Sequence, residues 1–480
     1  MYEVMLLVSV VVFVAVIVAY VRTGLASVFH PMTIYLACHG VIFVLRPIVV
    51  WVRDYRLIYN VYGFNPSMSD RLTVLAGTSL GLVCFAFACL RTGNIPMIFK
   101  ADEARNVERR RMGRLLPLMM AVCVPLGLYS LLTAVNSVVQ DNITMVSTAT
   151  GYRINTTGVG YFNDAMFLLV PICGMFAWFY RFRWYAWLPL ILFFPLKAST
   201  GGRSAFVIAV VATGLFYLYD RRIRWPGLKL LVGGVVLAMA FNAVGSDRGY
   251  ALRQMMGFQN KTAAYSGREL RFMEGMDFAN MEYFEYLVYV IPQRSKTYDY
   301  FLSNLQLLTE PVPRVLWSGK PAGPPIQLIH FYDYGTPYGM SYSVPGVGWF
   351  EAGWLGIVIW SMFWGWASGA IYRKFVSGSQ SSVAVSLYMA FLPLLIVGYR
   401  DGTILTVARQ AVFYMAPGLM LLLLGRLYRV PSLAAIGAAL NRRFAQQQGG
   451  AGDGAGPVTS RGRLNRLRLI AGATQEPSRG

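Results

Sequence analysis

Charge is scarce in this chain. Only 14% of its 480 residues are Asp, Glu, Lys or Arg, against about 25% in soluble domains. With 56% apolar residues and a mean hydropathy of +0.48, this excludes an ordinary soluble domain and predicts a polytopic membrane protein. Histidine is nearly missing, with three scattered residues, too few for a metal cluster. The five cysteines (Cys38, Cys84, Cys89, Cys123 and Cys173) lie in or beside apolar segments. They lack metal-ligand spacing and read as small core residues. No Walker A loop, dinucleotide fingerprint or DxD motif is present, which disfavours an energy-coupled pump and a nucleotide-sugar transferase. No cofactor and no metal are expected, and no repeat of fixed period is visible. The first apolar stretch has no basic n-region or cleavage site, so it reads as a membrane helix.

What is present is apolar length and an excess of basic residues. Eleven mostly apolar stretches are near spanning length: 3–21, 33–52, 72–90, 115–135, 162–180, 184–199, 204–220, 227–245, 346–372, 383–399 and 404–425. The sixth and seventh are short and the ninth is long, which brackets the count between ten and fourteen. The net charge of +21 would suggest nucleic acid in a soluble protein. Here the cations fall in short clusters between apolar runs, the positive-inside pattern, so no nucleic acid partner is expected. The 91–114 loop carries seven Lys/Arg, and "RFR" at 181–183, "DRRIRW" at 220–225 and "RK" at 373–374 are also basic. The tail after 425 adds nine Arg against two acids. With eleven spans all of these fall on one side, the cytoplasm, and the N-terminus lies outside.

The organisation expected is spans one to eight over 1–245, a large outer loop over 246–345, and spans nine to eleven over 346–425. A basic, Gly-rich tail over 426–480 is expected to be disordered and to touch anionic lipid. The outer loop is charge-balanced, with nine Lys/Arg and nine Asp/Glu, and too long for a simple connector. "ELRFMEGMDFANMEYFEYLVYVIP" predicts an amphipathic helix ended by Pro292, and "TEPVPRVLWSGKPAGPP" an irregular segment.

The residues that could carry chemistry gather on the outer side. In "PLKASTGGRSAFVIAVV", Lys197 and Arg203 flank Gly201 and Gly202 at the outer mouth. Two readings stay open, a snorkelling hairpin and an anion site. In the second, Arg203 offers a planar fork of donors and the helix opening at Ser204 adds free N–H groups. Arg314 and Lys320 flank a tryptophan in "PRVLWSGKP", and Arg400 and Asp401 occupy a tight turn in "GYRDGT". That last pair reads equally as an ion pair that stabilises its own turn. Arg153 and Arg409 are weaker candidates; Arg409 lies one to two turns inside a span and needs an internal partner. His330 in "QLIHFYDYG" is a candidate general base toward a sugar hydroxyl, with Asp333, Glu351 and Asp401 competing for the role.

Taken together the chain resembles the bacterial O-antigen and exopolysaccharide repeat-unit polymerases. Three segments carry the resemblance. "STGGRSAFVIAVVATG" gives Arg203 and Gly214 the Arg-x10-Gly spacing of that family. "PVPRVLWSGKP" is close to its PR..W..KP pattern, and "SVPGVGWFEAGWLGIVIWSMFWG" resembles its G...E.G..G run. The likeness covers roughly residues 160–425, and a second Arg-x10-Gly in the long loop is missing. The resemblance implies an all-α, GT-C-like glycosyltransferase in the inner membrane. Its donor would be undecaprenyl-diphosphate-linked oligosaccharide, and a flippase and a chain-length regulator would be partners. It further implies arginines on the lipid diphosphate, which here would be Arg203, Arg314 and Arg400 with Lys320 assisting. Two other readings remain: a ligase moving finished glycan to another acceptor, and a lipid-oligosaccharide flippase or transporter.

Overall fold

Ser67 and Asp70 open a helix by answering each other. Ser67 Oγ accepts from the Asp70 N–H at 3.2 Å, and Asp70 Oδ2 accepts from the Ser67 N–H at 2.8 Å. This capping box satisfies two orphaned donors, and the apolar run behind it continues to Thr92. The computed structural model describes residues 1–100, 102–140, 144–146, 153–155, 164–199, 204–230, 232–234, 273–275, 278–312, 316–317, 319–321, 323–331, 333–335 and 341–449. Its helices run as follows: α1 (Tyr2–Arg22), α2 (Pro31–Arg53), α3 (Leu57–Tyr62), α4 (Met68–Thr92), α5 (Glu103–Gln140), α6 (Asp164–Phe179), α7 (Trp184–Ala198) and α8 (Ser204–Arg221). They continue with α9 (Asn280–Val290), α10 (Val344–Ser377), α11 (Ser382–Asp401), α12 (Ile404–Leu427) and α13 (Leu433–Gly449).

Seven of these, α1, α2, α4, α5, α10, α11 and α12, are long and apolar enough to cross a membrane. The chain is a helical membrane protein. Two further apolar helices, α6 and α7, are shorter, and the expected span at 227–245 lies mostly outside the described residues. The seven meet the condition where eleven were expected, and the finer count and the GT-C-like architecture belong to the proposal below.

The basic loops do converge on one end of the bundle. Val28 N–H donates to Arg224 O at 3.0 Å, Arg224 donates to Met97 O at 3.0 Å, and Lys100 Nζ donates to Ser377 O at 3.0 Å. The long connection and the α11–α12 turn meet at the other end, where Asn280 Nδ2 donates to Arg400 O at 2.8 Å. Packing between is closest along the α4–α10 seam. There a side chain on Gly365 would strike the Phe85 carbonyl, and one on Gly81 would meet Ser361 Oγ at 3.1 Å. Small residues let two apolar helices approach closely where lipid supplies no hydrophobic drive.

Two expectations need correction. The region after 425 was expected to be disordered, yet α13 forms over Leu433–Gly449 with Ile436 buried. Its Ala/Leu/Gln-rich sequence favours helix, and it packs on α5. The all-α expectation holds, with one short hairpin beside the helices: Thr144–Val146 (β1) pairs antiparallel with Arg153–Asn155 (β2). The amphipathic helix expected before Pro292 is α9, but it has no solvent face. All its residues except Tyr289 are buried, because Asn280, Glu282 and Glu285 are paired inside the protein.

Candidate functional site

At the end opposite the basic loops, three of the cations singled out in the sequence come together. Arg409 stands in the second turn of α12, and its Nη2 meets Asp164 Oδ2 at 2.5 Å. Asp164 opens α6, where a carboxylate also suits the helix dipole. Nη1 of Arg409 lies 3.8 Å from Glu310 Oε1. Glu310 in turn ties Lys320, whose Nζ donates to Glu310 O at 2.9 Å and to Val312 O at 3.1 Å, with Glu310 Oε2 at 3.7 Å. Lys197, in the last turn of α7, is buried with Nζ 3.4 Å from Met166 Sδ, and Asp164 acts on its charge through space. Three cations thus face two carboxylates, which leaves one positive charge in excess among the described residues. Arg409 remains 44% exposed, so a ligand can reach it. Two backbone carbonyls and the Glu310 carboxylate together hold Lys320 in place.

Arg400 and Asp401 occupy the adjoining turn. The Arg400 carbonyl accepts from Ser343 N–H at 2.9 Å and from Asn280 Nδ2 at 2.8 Å. Asp401 Oδ2 accepts from Thr403 Oγ1 at 2.6 Å, and Gly402 O accepts from Trp360 Nε1 at 2.9 Å. The start of α10, α9 and the α11–α12 turn are therefore locked together at the backbone. Glu351 is buried in α10 beside a kink at Ala352–Gly353. Its oxygens accept from Phe301 N–H at 2.6 Å and Asn304 Nδ2 at 2.7 Å, which staples the loop onto the helix. His330 is half-buried in a tight turn, its carbonyl accepting from Asp333 N–H at 3.0 Å. Its neighbours Ile329 and Phe331 pack with α9 and α10, and Phe331 stacks on Phe350 at 5.7 Å.

Arg203, Arg314, Gly201 and Gly202 lie outside the described residues. Ser204 is described only as the first residue of α8, and Arg153 only as a strand residue.

Sequence reasoning missed Asp164 and Glu310, which organise the cluster. An isolated acid at the mouth of an apolar run, as in "FNDAMF", is the available signal for the first. It also missed a buried ionic layer beside α9. Arg46 of α2 pairs with Glu282, its Nε 2.9 Å from Oε1. Tyr59 donates to Glu285 at 2.5 Å, and Arg71 lies over the Tyr59 ring at 5.3 Å. Burial pushes the Glu285 carboxyl up to about 7, against the lowering effects of Tyr59 and Arg71. A charge inside an apolar run, "FVLRPIVV", was the signal for Arg46.

No protein-family model, no curated protein and no solved structure matches the chain. What the fold itself defines is the class, a helical membrane protein with a polar cluster at one end of its bundle that is net-cationic among the described residues.

Proposed function

We propose that the chain is a metal-independent membrane glycosyltransferase that polymerises undecaprenyl-diphosphate-linked oligosaccharide repeat units at the outer face of the bacterial inner membrane. The N-terminus would be periplasmic and the C-terminus cytoplasmic. The observation that carries the reading is the convergence of Lys197, Lys320 and Arg409, from three separate segments, around Asp164 and Glu310, with positive charge in excess among the described residues. A diphosphate is the anion that such a set suits, because it can draw on several cations at once. The carboxylates hold the cations oriented until it arrives.

In the proposed reaction the acceptor hydroxyl oxygen attacks the anomeric carbon of the donor sugar. The bond from that carbon to the lipid diphosphate breaks, and the diphosphate leaves with the bonding pair. The hydroxyl proton passes to a base, His330 or a loop carboxylate. The cations stabilise charge on the departing diphosphate, with Arg203, Arg314 and Arg400 taking part as the sequence resemblance implies. The donor is already activated, so no nucleotide and no cofactor is required.

The test is reconstitution of the purified protein with lipid-linked repeat units in detergent micelles, where no second leaflet exists, with product length read on a glycan gel. Polymer supports the proposal. Unextended repeats overturn it, leaving the flippase reading, and transfer of preformed glycan to another acceptor without extension indicates the ligase.

A further inference from the structure

The basic end of the bundle carries a second polar site, distinct from the outer cluster. A cavity of about 100 Å³ opens between the starts of α5 and α11 and the end of α8, lined by Lys100, Arg105, Arg109 and Arg222 together with Asp102 and Asp220. Phe99, Trp178 and Tyr219 form its apolar walls. Given a share of about 30 Å³ per liquid water, the space suits one phosphate group.

The charges here are fixed in place but not neutralised. Arg109 is 8% exposed and lies over the Trp178 ring at 4.4 Å. It pairs with Asp220 at 2.5 Å and donates to the Trp178 carbonyl, while its Nε has no acceptor among the described residues. Arg105 pairs with Asp102 at 2.5 Å and donates to Ser379 O at 2.6 Å. Lys100 Nζ donates to Gly378 O at 2.6 Å. Carbonyls answer donors but remove no charge, so four cations stand against two carboxylates. Glu108 offsets one of the excess charges, accepting from the Ser382 N–H at 3.1 Å, and Arg181 adds another within electrostatic reach of Arg109. Residues at the starts of α5 and α11 line the cavity, and the positive end of a helix dipole favours an anion. Of the lining cations, Arg222 is exposed and available to close over a ligand.

We propose that this cleft binds a phosphate group, either the headgroup of an anionic phospholipid or free phosphate, with Arg222, Arg105 and Arg109 as its cationic wall. Gln380 makes the pocket a junction of the basic loops: its Oε1 accepts from Tyr219 Oη at 2.9 Å and from Lys100 N–H at 3.0 Å, and its Nε2 donates to Ile98 O at 2.8 Å. A bound phosphate would therefore clamp the 91–114, 220–225 and 373–382 connections to one another.

The experiment uses the full chain in two arms. In the first, inorganic phosphate is titrated into protein in zwitterionic detergent at constant ionic strength, and the thermal unfolding midpoint is followed. In the second, protein in nanodiscs of mixed phosphatidylglycerol and phosphatidylcholine is released and its retained lipid counted by native mass spectrometry. A saturable rise with phosphate identifies a soluble ligand; selective retention of phosphatidylglycerol without that rise identifies the lipid. Either response should weaken at least threefold in Arg222→Gln, whose exposed side chain leaves the fold intact, and in Arg105→Gln. No response in either arm, or an undiminished response in both variants, overturns the proposal.

Discussion

Arg46 and Glu282, 236 positions apart in the chain, form an ion pair closed to solvent on both sides, with side chains 1% and 4% exposed. The pair joins α2 to α9 and accounts for the absence of a solvent face on α9. Removing one member of such a pair leaves a buried charge without compensation, a loss of about 3–5 kcal/mol, whereas replacing both with apolar residues is often neutral. Arg46→Met should therefore be strongly destabilised, and Arg46→Met combined with Glu282→Leu should recover most of the loss. Thermal unfolding of the three proteins in detergent checks this. A double variant no more stable than the single one would contradict it.

Beside that pair, Glu285 carries a pH dependence with a definite sign. Burial raises its carboxyl to about 7, while a glutamate in an unfolded chain titrates near about 4.3. The folded state holds a proton that the unfolded state releases. The associated stability is fully present below the unfolded value and is lost as pH rises through the folded one. Glu285→Gln, neutral at every pH, should flatten the decline in unfolding midpoint between pH values of about 4 and 7 and exceed the parent at the upper end. Parallel curves for variant and parent would show that Glu285 does not titrate in this window.

The span positions were legible because they rest on local hydropathy. The apolar runs at 3–21, 72–90 and 404–425 fall within Tyr2–Arg22, Met68–Thr92 and Ile404–Leu427, all long and apolar enough to cross a membrane. What was illegible is pairing at a distance. Arg409 announced its need for an internal partner by its depth in α12, but nothing local names Asp164, 245 positions away. α9 was misjudged for the same reason. Its polar residues imply a wet face by periodicity, and only the fold supplies Arg46, Tyr59 and the Arg400 carbonyl in place of water. Glu351 looked like a member of a Gly-rich motif, and its role as a staple on Phe301 and Asn304 depends on a loop 50 and 47 positions earlier in the chain.

On the proposed function, the outer cluster predicts an ordered series in polymerisation. Loss of a charge-stabilising contact typically costs about 10²–10³ in rate, so Arg409→Ala should lower polymer formation by that factor with the protein still inserted. Arg409→Lys keeps the charge but loses the forked geometry and should fall between. Asp164→Asn removes one internal partner of Arg409 while Glu310 and the cation itself remain, and should change rate less than Arg409→Ala. Single-turnover rates with the reconstituted substrate rank the three. Equal rates for Arg409→Ala and the parent would remove Arg409 from the diphosphate site.

Gly402 makes a tight backbone approach at that end of the bundle. It sits at φ +78, and a Cβ there would collide with the Ser343 carbonyl. Gly63 has a similar φ of +65, yet a Cβ there meets nothing within 4 Å. The two positions separate the cost of left-handed backbone from the cost of crowding. Gly63→Ala should lose only the conformational part, about 1–2 kcal/mol. Gly402→Ala must in addition push the α11–α12 turn off the start of α10, disturbing the Ser343–Arg400 and Trp360–Gly402 hydrogen bonds. Its loss should exceed that of Gly63→Ala by at least the roughly 1 kcal/mol net worth of one such bond. Unfolding midpoints measured side by side in one detergent decide the matter. Equal losses would mean that the turn yields freely and does not hold Arg400 in position.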